Sequence, residues 1–196
     1  EAPEFSPAVI DSLRQPLESG EIVIHRAHQV ARFPAHVHLV LAANPCPCGQ
    51  AGLSDADCVC TPDRRRRYRS RLSGPVLDRI DIHIEAPALS IAELRNEKLG
   101  EPSAPLRDRV QAARGRQQQR FSGTKVTANA RMTNAHLRKH CAIDATLGDL
   151  LQQAMEQLSL SARAYDRILK VARTIADLAA TGWVHEFDAM RSEVAR

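Results

Sequence analysis

The apolar positions change period along the chain, and each change marks an element boundary. Between Ser6 and Leu17, the residues Val9, Ile10, Leu13 and Leu17 recur at helical steps; Ser6 stands at an N-cap position, Pro7 in the first turn, and Gly20 as the stop. Short β-rich runs follow, Ile22 to His25 and His28 to Phe33, and the tight connection between them predicts a hairpin. His36 to Ala43, HVHLVLAA, runs straight into Asn44 and Pro45, which predicts a buried strand ending at a functional loop. Ile80 to Ile84, IDIHI, alternates cleanly and predicts the next strand. Up to about Pro87 the pattern is alternating α/β.

Beyond it the pattern changes. Pro87, Pro102 and Pro105, with a glycine and mixed polar residues between them, predict a linker holding a short helix. The remainder reads as helical. Thr133 and Asp144 are suited to cap successive helices, and Ser161 caps the most strongly amphipathic one. In that helix Tyr165, Ile168, Val171, Ile175 and Leu178 recur at three- and four-residue steps and predict the buried stripe. Gly182 reads as its stop, and Glu186 to Arg196 starts a further helix. The architecture expected is half an α/β sheet domain over residues 1–88, a linker over 89–104 and a helical domain over 105–196. There are no internal repeats or low-complexity tracts.

Composition changes this picture little. At 196 residues with 43% hydrophobic content, the chain is long enough for a core in each part. No apolar run reaches the roughly 18 residues of a membrane span, and the first residues do not form a signal peptide. Five cysteines, four of them in two tight pairs, suit a reducing compartment better than a disulfide scaffold, so a cytoplasmic location is expected. The net charge of +4 is small, but its distribution is uneven. Arg64, Arg65, Arg66, Arg67, Arg69 and Arg71 form one basic block, and Arg107, Arg109, Arg114, Arg116 and Arg120 form another. Such blocks either attract phosphate-rich partners or are solvated faces.

The cysteines carry the most distinctive chemistry. Cys46-Pro47-Cys48-Gly49 and Cys58-Val59-Cys60 frame a short loop that contains Gly52, Ser54 and Asp55. Cys46, Cys48, Cys58 and Cys60 either close a tetrahedral Zn²⁺ site or remain reduced thiols on a loop. The C-x-C spacing is tighter than that of ordinary zinc knuckles, so chelation requires a strained or nest-like backbone. Cys141 stands alone and reads as a small buried apolar residue. His36, His38 and His83 alternate with apolar residues and read as packing residues.

Three separated runs carry a family resemblance. They are EAPEFSPAVIDSLRQPLESGEIVIHRAHQVARFPAHVHLVLAANPCPCG, RYRSRLSGPVLDRIDIHIEAP and LSARAYDRILKVARTIADLA, in that order. Together they resemble the ComM/YifB group of bacterial magnesium-chelatase-like AAA+ ATPases, and the match covers essentially the whole chain. The resemblance implies the C-terminal half of an AAA+ P-loop core, with a pre-sensor-1 hairpin and a cysteine loop, followed by a helical lid of the magnesium-chelatase C-terminal type.

The same resemblance assigns roles. Glu1 would be the Walker B carboxylate that orients the attacking water beside Mg²⁺ and ATP. Asn44 would be sensor 1, a neutral amide directed at the γ-phosphate or the water; the alternative is an Asn that starts a turn. Arg79 would be the arginine finger reaching a neighbouring subunit; the alternative is a surface salt bridge to Asp78 or Asp81. Arg163 would be sensor 2, against ordinary helix-surface charge. His25, Arg26 and His28 at the hairpin tip would meet nucleic-acid phosphates, against a simple exposed turn.

A motor follows from these roles: a ring, expected to be hexameric, that couples ATP hydrolysis to DNA remodelling. Members of this group are implied to act as helicases for branch migration in natural transformation. No G-x-x-x-x-G-K-[ST] sequence occurs here, and the chain opens at Glu1, so a fragment inactive by itself is expected. One alternative is a motor subunit that drives Mg²⁺ insertion into a porphyrin. Another is a non-catalytic module that binds zinc and nucleic acid.

Overall fold

Pro16 decides how the first helical segment is built. Ser6 caps it as expected, accepting from the Val9 N–H at 3.4 Å, and α1 runs Pro7–Ser12. A proline has no N–H to offer the carbonyl four residues back, so the helix breaks at Leu13 and resumes as α2, Arg14–Ser19. Gly20 then ends it in the left-handed conformation, φ 69°. A side chain at this position would also collide with the His36 ring, 2.4 Å from where its Cβ would sit.

The computed structural model describes residues 1–51, 58–87, 89, 95, 100–158 and 160–180. They fall into two units, Glu1–Asn96 and Glu97–Arg196. In the first unit, strands β1, Glu21–Arg26, and β2, Gln29–Pro34, form the expected antiparallel hairpin in the register Ile22 to Phe33 and His25 to Val30. It is the only ladder among the described residues. Residues 36–43 and 80–84, expected as strands, are in neither helix nor ladder. A strand exists only by pairing, and the segment 36–43 finds one cross-link, from the Ala2 N–H to the Ala42 carbonyl at 2.7 Å. Its valines stay outside, with Val40 78% exposed, its leucines Leu39 and Leu41 are only half-buried, and Ile84 of the second segment is 83% exposed. The expectation of burial is therefore corrected.

Helix α3, Pro62–Arg69, starts at the Thr61 cap, whose hydroxyl accepts from the Arg64 N–H at 3.3 Å. Tyr68 is its one buried residue. Helix α4, Gly74–Leu77, is short and buries Val76. The linker helix expected within residues 89–104 lies largely outside the described residues.

The second unit is helical, as expected. It contains α5, Ser103–Arg120; α6, Asn134–His140; α7, Ala145–Gln157; and α8, Ala162–Ala179. Thr133, Asp144 and Ser161 all stand at N-caps, and the Asp144 carboxylate accepts from the Leu147 N–H at 2.8 Å. Phe121, Met132, Leu137, Cys141, Leu151, Leu169 and Ala172 form the core. Cys141 is buried, as expected, and burial raises its thiol to about 11. The buried stripe of α8 matches the expected one in part, since Tyr165 and Ile168 pack against the core. Leu169, Ala172 and Ala176 face inward, while Ile175 and Leu178 stay partly outside. Small alanines let α5 approach closely, and Asp177 must face inward to meet its arginine partner. The helix ends at Ala180 in the left-handed conformation, φ 61°. Gly182 and the helix expected over Glu186 to Arg196 lie outside the described residues. Among the described residues no helix is long and apolar enough to cross a membrane.

Candidate functional site

Glu1 and Asn44, separated by 43 residues in sequence, are brought together. The Ala2–Ala42 backbone bond holds the chain start beside the segment that leads into Asn44. Ala2 and Pro3 are buried there in a single 3₁₀ turn. Across this seam the Asn44 amide Nδ2 donates to Glu1 Oε1 at 3.4 Å, and both side chains remain open to solvent. A carboxylate and a neutral amide, side by side and accessible, can orient a water without adding positive charge.

Two residues of the arginine-rich run buttress this seam. Arg71 donates from Nη1 to the Pro3 carbonyl at 2.9 Å and lies 3.4 Å from Glu4 Oε2. Tyr68 is 5% exposed. Burial raises its phenol; a hydrogen-bonding interaction with the Asn44 backbone opposes that, and the charges of Glu4, Glu1 and Cys46 add to it. The phenol thus sits among the chain start, Asn44 and the first cysteine. Residue patterning did not single it out, although a lone aromatic in PDRRRRYRSR is a signal that one helix face is covered.

The cysteines lie immediately beyond Asn44. All four Sγ atoms fall within 4.8 Å of one another. Cys46 to Cys48 is 3.3 Å, and Cys58 is 3.8 Å from each of them. A tetrahedral ion with Zn–S bonds near 2.3 Å requires sulfur–sulfur edges of ~3.8 Å, so the cluster fits Zn²⁺. The backbone that the tight C-x-C spacing demands is present. Gly49 takes φ 79°, its N–H returns to the Cys46 carbonyl at 3.0 Å, and the Ala51 N–H donates to Cys46 Sγ at 3.3 Å. Cys46 and Cys60 are buried, and Cys48 and Cys58 half-buried. Loop residues 52–57, which include Gly52, Ser54 and Asp55, lie outside the described residues.

The thiols differ in acidity. Burial opposes ionisation of Cys46, but bonds from the Ala51 N–H and from Cys48 and Cys58 outweigh it and bring the thiol down to about 6. Cys48 is lowered, chiefly through the Gln50 backbone. Cys60 is pushed up to about 11 by burial and by its thiol neighbours. The Cys58 thiol is also raised: the Cys60 backbone favours its ionisation, but burial and the neighbouring sulfurs outweigh that. The first thiolates formed thus oppose the last, and a divalent cation relieves that opposition, releasing protons as it binds.

Arg79 follows α4, whose N-cap Ser73 donates to Asp11 at 2.7 Å. Its guanidinium pairs with Glu18 and donates to the Pro75 carbonyl at 2.5 Å. The side chain is 14% exposed, and its buried Nε has no hydrogen-bond partner among the described residues. The expected surface alternative named Asp78 or Asp81; the acid found is Glu18, 61 residues away.

Comparisons with known proteins show the family of the chain. Residues 1–94 match the model of the family described as magnesium chelatase, subunit ChlI, and residues 100–191 match that of its C-terminal part. The chain is 44% identical over 180 residues to the competence protein ComM of Haemophilus influenzae, covering 91% of this chain and 34% of that protein. It is 40% identical over 179 residues to the YifB protein of Escherichia coli, again covering 91% of this chain and 34% of the relative. The chain belongs to the ComM/YifB family of magnesium-chelatase-like AAA+ proteins. It spans about a third of the length of these curated relatives.

The remaining positions singled out by the ComM/YifB resemblance are more scattered. Arg163 stands exposed in the first turn of α8, in the second unit. His25 and Arg26 close β1 and His28 lies in the turn; all three are exposed. His38 and His83 are also exposed, the His83 ring meeting the Ile80 carbonyl at 3.2 Å, while His36 packs on Gly20.

Proposed function

We propose that this chain supplies the water-orienting, sensing and lid portion of an AAA+ motor that couples ATP hydrolysis to DNA remodelling. The juxtaposition of Glu1 and Asn44 supports the reading best, because phosphoryl transfer is catalysed mainly by positioning and electrostatics. Mg²⁺-ATP, when bound, supplies the phosphoryl group and the charge neutralisation its transfer requires. Glu1 accepts a hydrogen bond from the attacking water and aims it. The Asn44 amide holds that carboxylate and offers its second N–H to a phosphate oxygen. Arg79 acts on a neighbouring subunit of a ring, a hexamer by family analogy, and must exchange Glu18 for phosphate to do so. Arg163 reports nucleotide state to the lid. His25, Arg26 and His28 offer the hairpin tip to DNA, the name of the competence relative favours a setting in natural transformation, and the free paired cysteines favour the cytoplasm.

The 196 residues contain no P-loop, so turnover is expected only where a P-loop half accompanies them. In full-length family rings carrying these residues, Glu1→Gln and Asn44→Ala should each lower kcat by roughly 10²–10³-fold with nucleotide binding retained. Arg79→Ala should lower it by about 10³-fold or more, and mixing with subunits disabled at the P-loop should restore part of the activity. Undiminished turnover in Glu1→Gln would sink the catalytic reading. Failure of mixed rings to recover, with subunit exchange verified, would return Arg79 to a structural pairing with Glu18.

A further inference from the structure

We propose that the solvent face of α3 binds the phosphate backbone of DNA, and that its two ends fix that face to the cysteine cluster and to the Glu1–Asn44 seam. The inference rests on the motor reading above and adds a contact surface to it.

The charge of α3 is unusual for a helix of this length. Eight residues hold five arginines against one acid, Asp63, which pairs with Arg66 where both are exposed. Arg64, Arg65, Arg67 and Arg69 make no ion pair among the described residues. Like charges three and four positions apart repel, so an unaccompanied helix of this kind is disfavoured. This one is held from outside its charged face. Thr61 caps it, Pro62 opens it and Tyr68 is buried beneath it. Tyr68 is covered and Arg65 half-covered, while Arg64, Arg66, Arg67 and Arg69 are exposed beside Pro62 and Asp63. Arg65, Arg66, Arg69 and Pro62 line an open concavity of ≈ 350 Å³.

The chemistry of that surface selects its partner. Guanidinium forks pair bidentately with phosphate oxygens, which is why arginine rather than lysine suits such a surface. A helix of eight residues is about 12 Å long, and duplex DNA presents one phosphate charge per ~1.7 Å of axis, so several phosphates fall within its reach. The helix itself exposes no aromatic beside its arginines, and the surface therefore tracks backbone rather than stacking on bases.

The attachments give the surface a purpose. Cys60 immediately precedes the cap residue, so metal in the cysteine cluster fixes where the helix begins. Beyond its last turn, Arg71 holds the Pro3 carbonyl, two residues from Glu1. A load applied to the arginines by DNA is thereby passed to the seam that positions the water.

Fluorescence anisotropy of a labelled duplex with the zinc-loaded chain, across a series of salt concentrations, tests this. The chain should bind without sequence preference. The quadruple variant Arg64→Gln, Arg65→Gln, Arg67→Gln, Arg69→Gln should bind at least ~10-fold more weakly and reduce the salt slope by about 3 to 4. The matching set of lysine substitutions should keep the slope. Far-UV circular dichroism and zinc content verify folding; if the quadruple variant fails that check, Arg64→Gln and Arg67→Gln singly should each lower the slope by roughly 0.9. Binding by the unaltered chain with a slope that these variants leave unchanged overturns the α3 assignment and leaves the DNA reading standing. Absence of any DNA binding by the unaltered chain overturns the DNA reading, and the surface with it.

Discussion

The two arginine runs look alike in sequence and are used in opposite ways. In the run of α5, Arg109 makes a double hydrogen bond to Glu101, and Arg116 donates to the Asp177 carbonyl at 2.6 Å. Arg120 grips the Asp177 carboxylate with both terminal nitrogens, in a site where Asp177 is 2% exposed. Asn129 completes it at 2.8 Å, and Arg173 Nε lies 3.7 Å from the same group. In the run of α3 four of the five arginines are exposed and Arg65 is half-buried, and Arg66 alone pairs within the helix. Density of charge is therefore no guide to its use. What separates the runs is a partner: an acid 57 residues away in one case, and none within the described chain for most of the other.

Three measurements would break or sharpen that contrast. The largest effect concerns the cluster that sets the start of the outward run. The purified chain should carry about one zinc, and Cys46→Ser should leave none, by elemental analysis of reduced protein prepared without chelators. Chelation should then speed hydrogen exchange over Thr61 to Arg69 and leave the α5 run unaffected. A metal-free chain with a protected α3 would show that the helix stands without its staple.

Next comes the inward run. Asp177→Asn leaves buried guanidinium charge uncompensated and should destabilise the second unit by about 3–5 kcal/mol in urea melts. Burial favours the protonated form of Asp177, but Arg120, Asn129 and Arg173 outweigh it and hold the carboxyl below its ordinary value. The unfolded chain therefore takes up this proton first. The stabilisation is complete above an ordinary pKa of ~3.9 and is lost as pH falls through the lower folded value, so the variant should flatten the acid limb of the stability curve. An unchanged melt would mean that the network is incidental.

The smallest effect belongs to the exposed end of the same helix. Arg109→Gln removes a pair that is open to solvent on both sides, and the thermal midpoint should not move measurably. A clear shift would make the whole α5 run structural rather than its inner half.

Much of this arrangement was legible in the chain, and the losses have physical causes. Caps such as Ser6, Asp144 and Ser161 are local devices and were read where they stand. The cysteine cluster was legible because four thiols in two pairs have few other uses, while its closure depended on the left-handed Gly49. The break at Leu13 was missed because apolar spacing outweighed Pro16 in the reading. Ala172 and Ala176 fall outside the expected stripe of α8 because alanines carry little hydrophobic signal yet permit the closest packing. Residues His36 to Ala43 showed β propensity, but propensity names a strand and cannot supply its neighbour. Family resemblance gave Glu1 and Asn44 a role each, but their pairing was not legible, since nothing local links positions 43 residues apart.

The bare segment from His36 to Ala43 has a further consequence, for handling the protein in the test tube. Its valines face water, and it has no ladder to occupy its backbone among the described residues. Such a stretch is a template for intermolecular β-pairing, and two copies meeting there can zip together in either direction. Concentrated solutions of the chain are thus prone to aggregate through this stretch, and a charged substitution at Val40, which is 78% exposed, is the least intrusive place to prevent it.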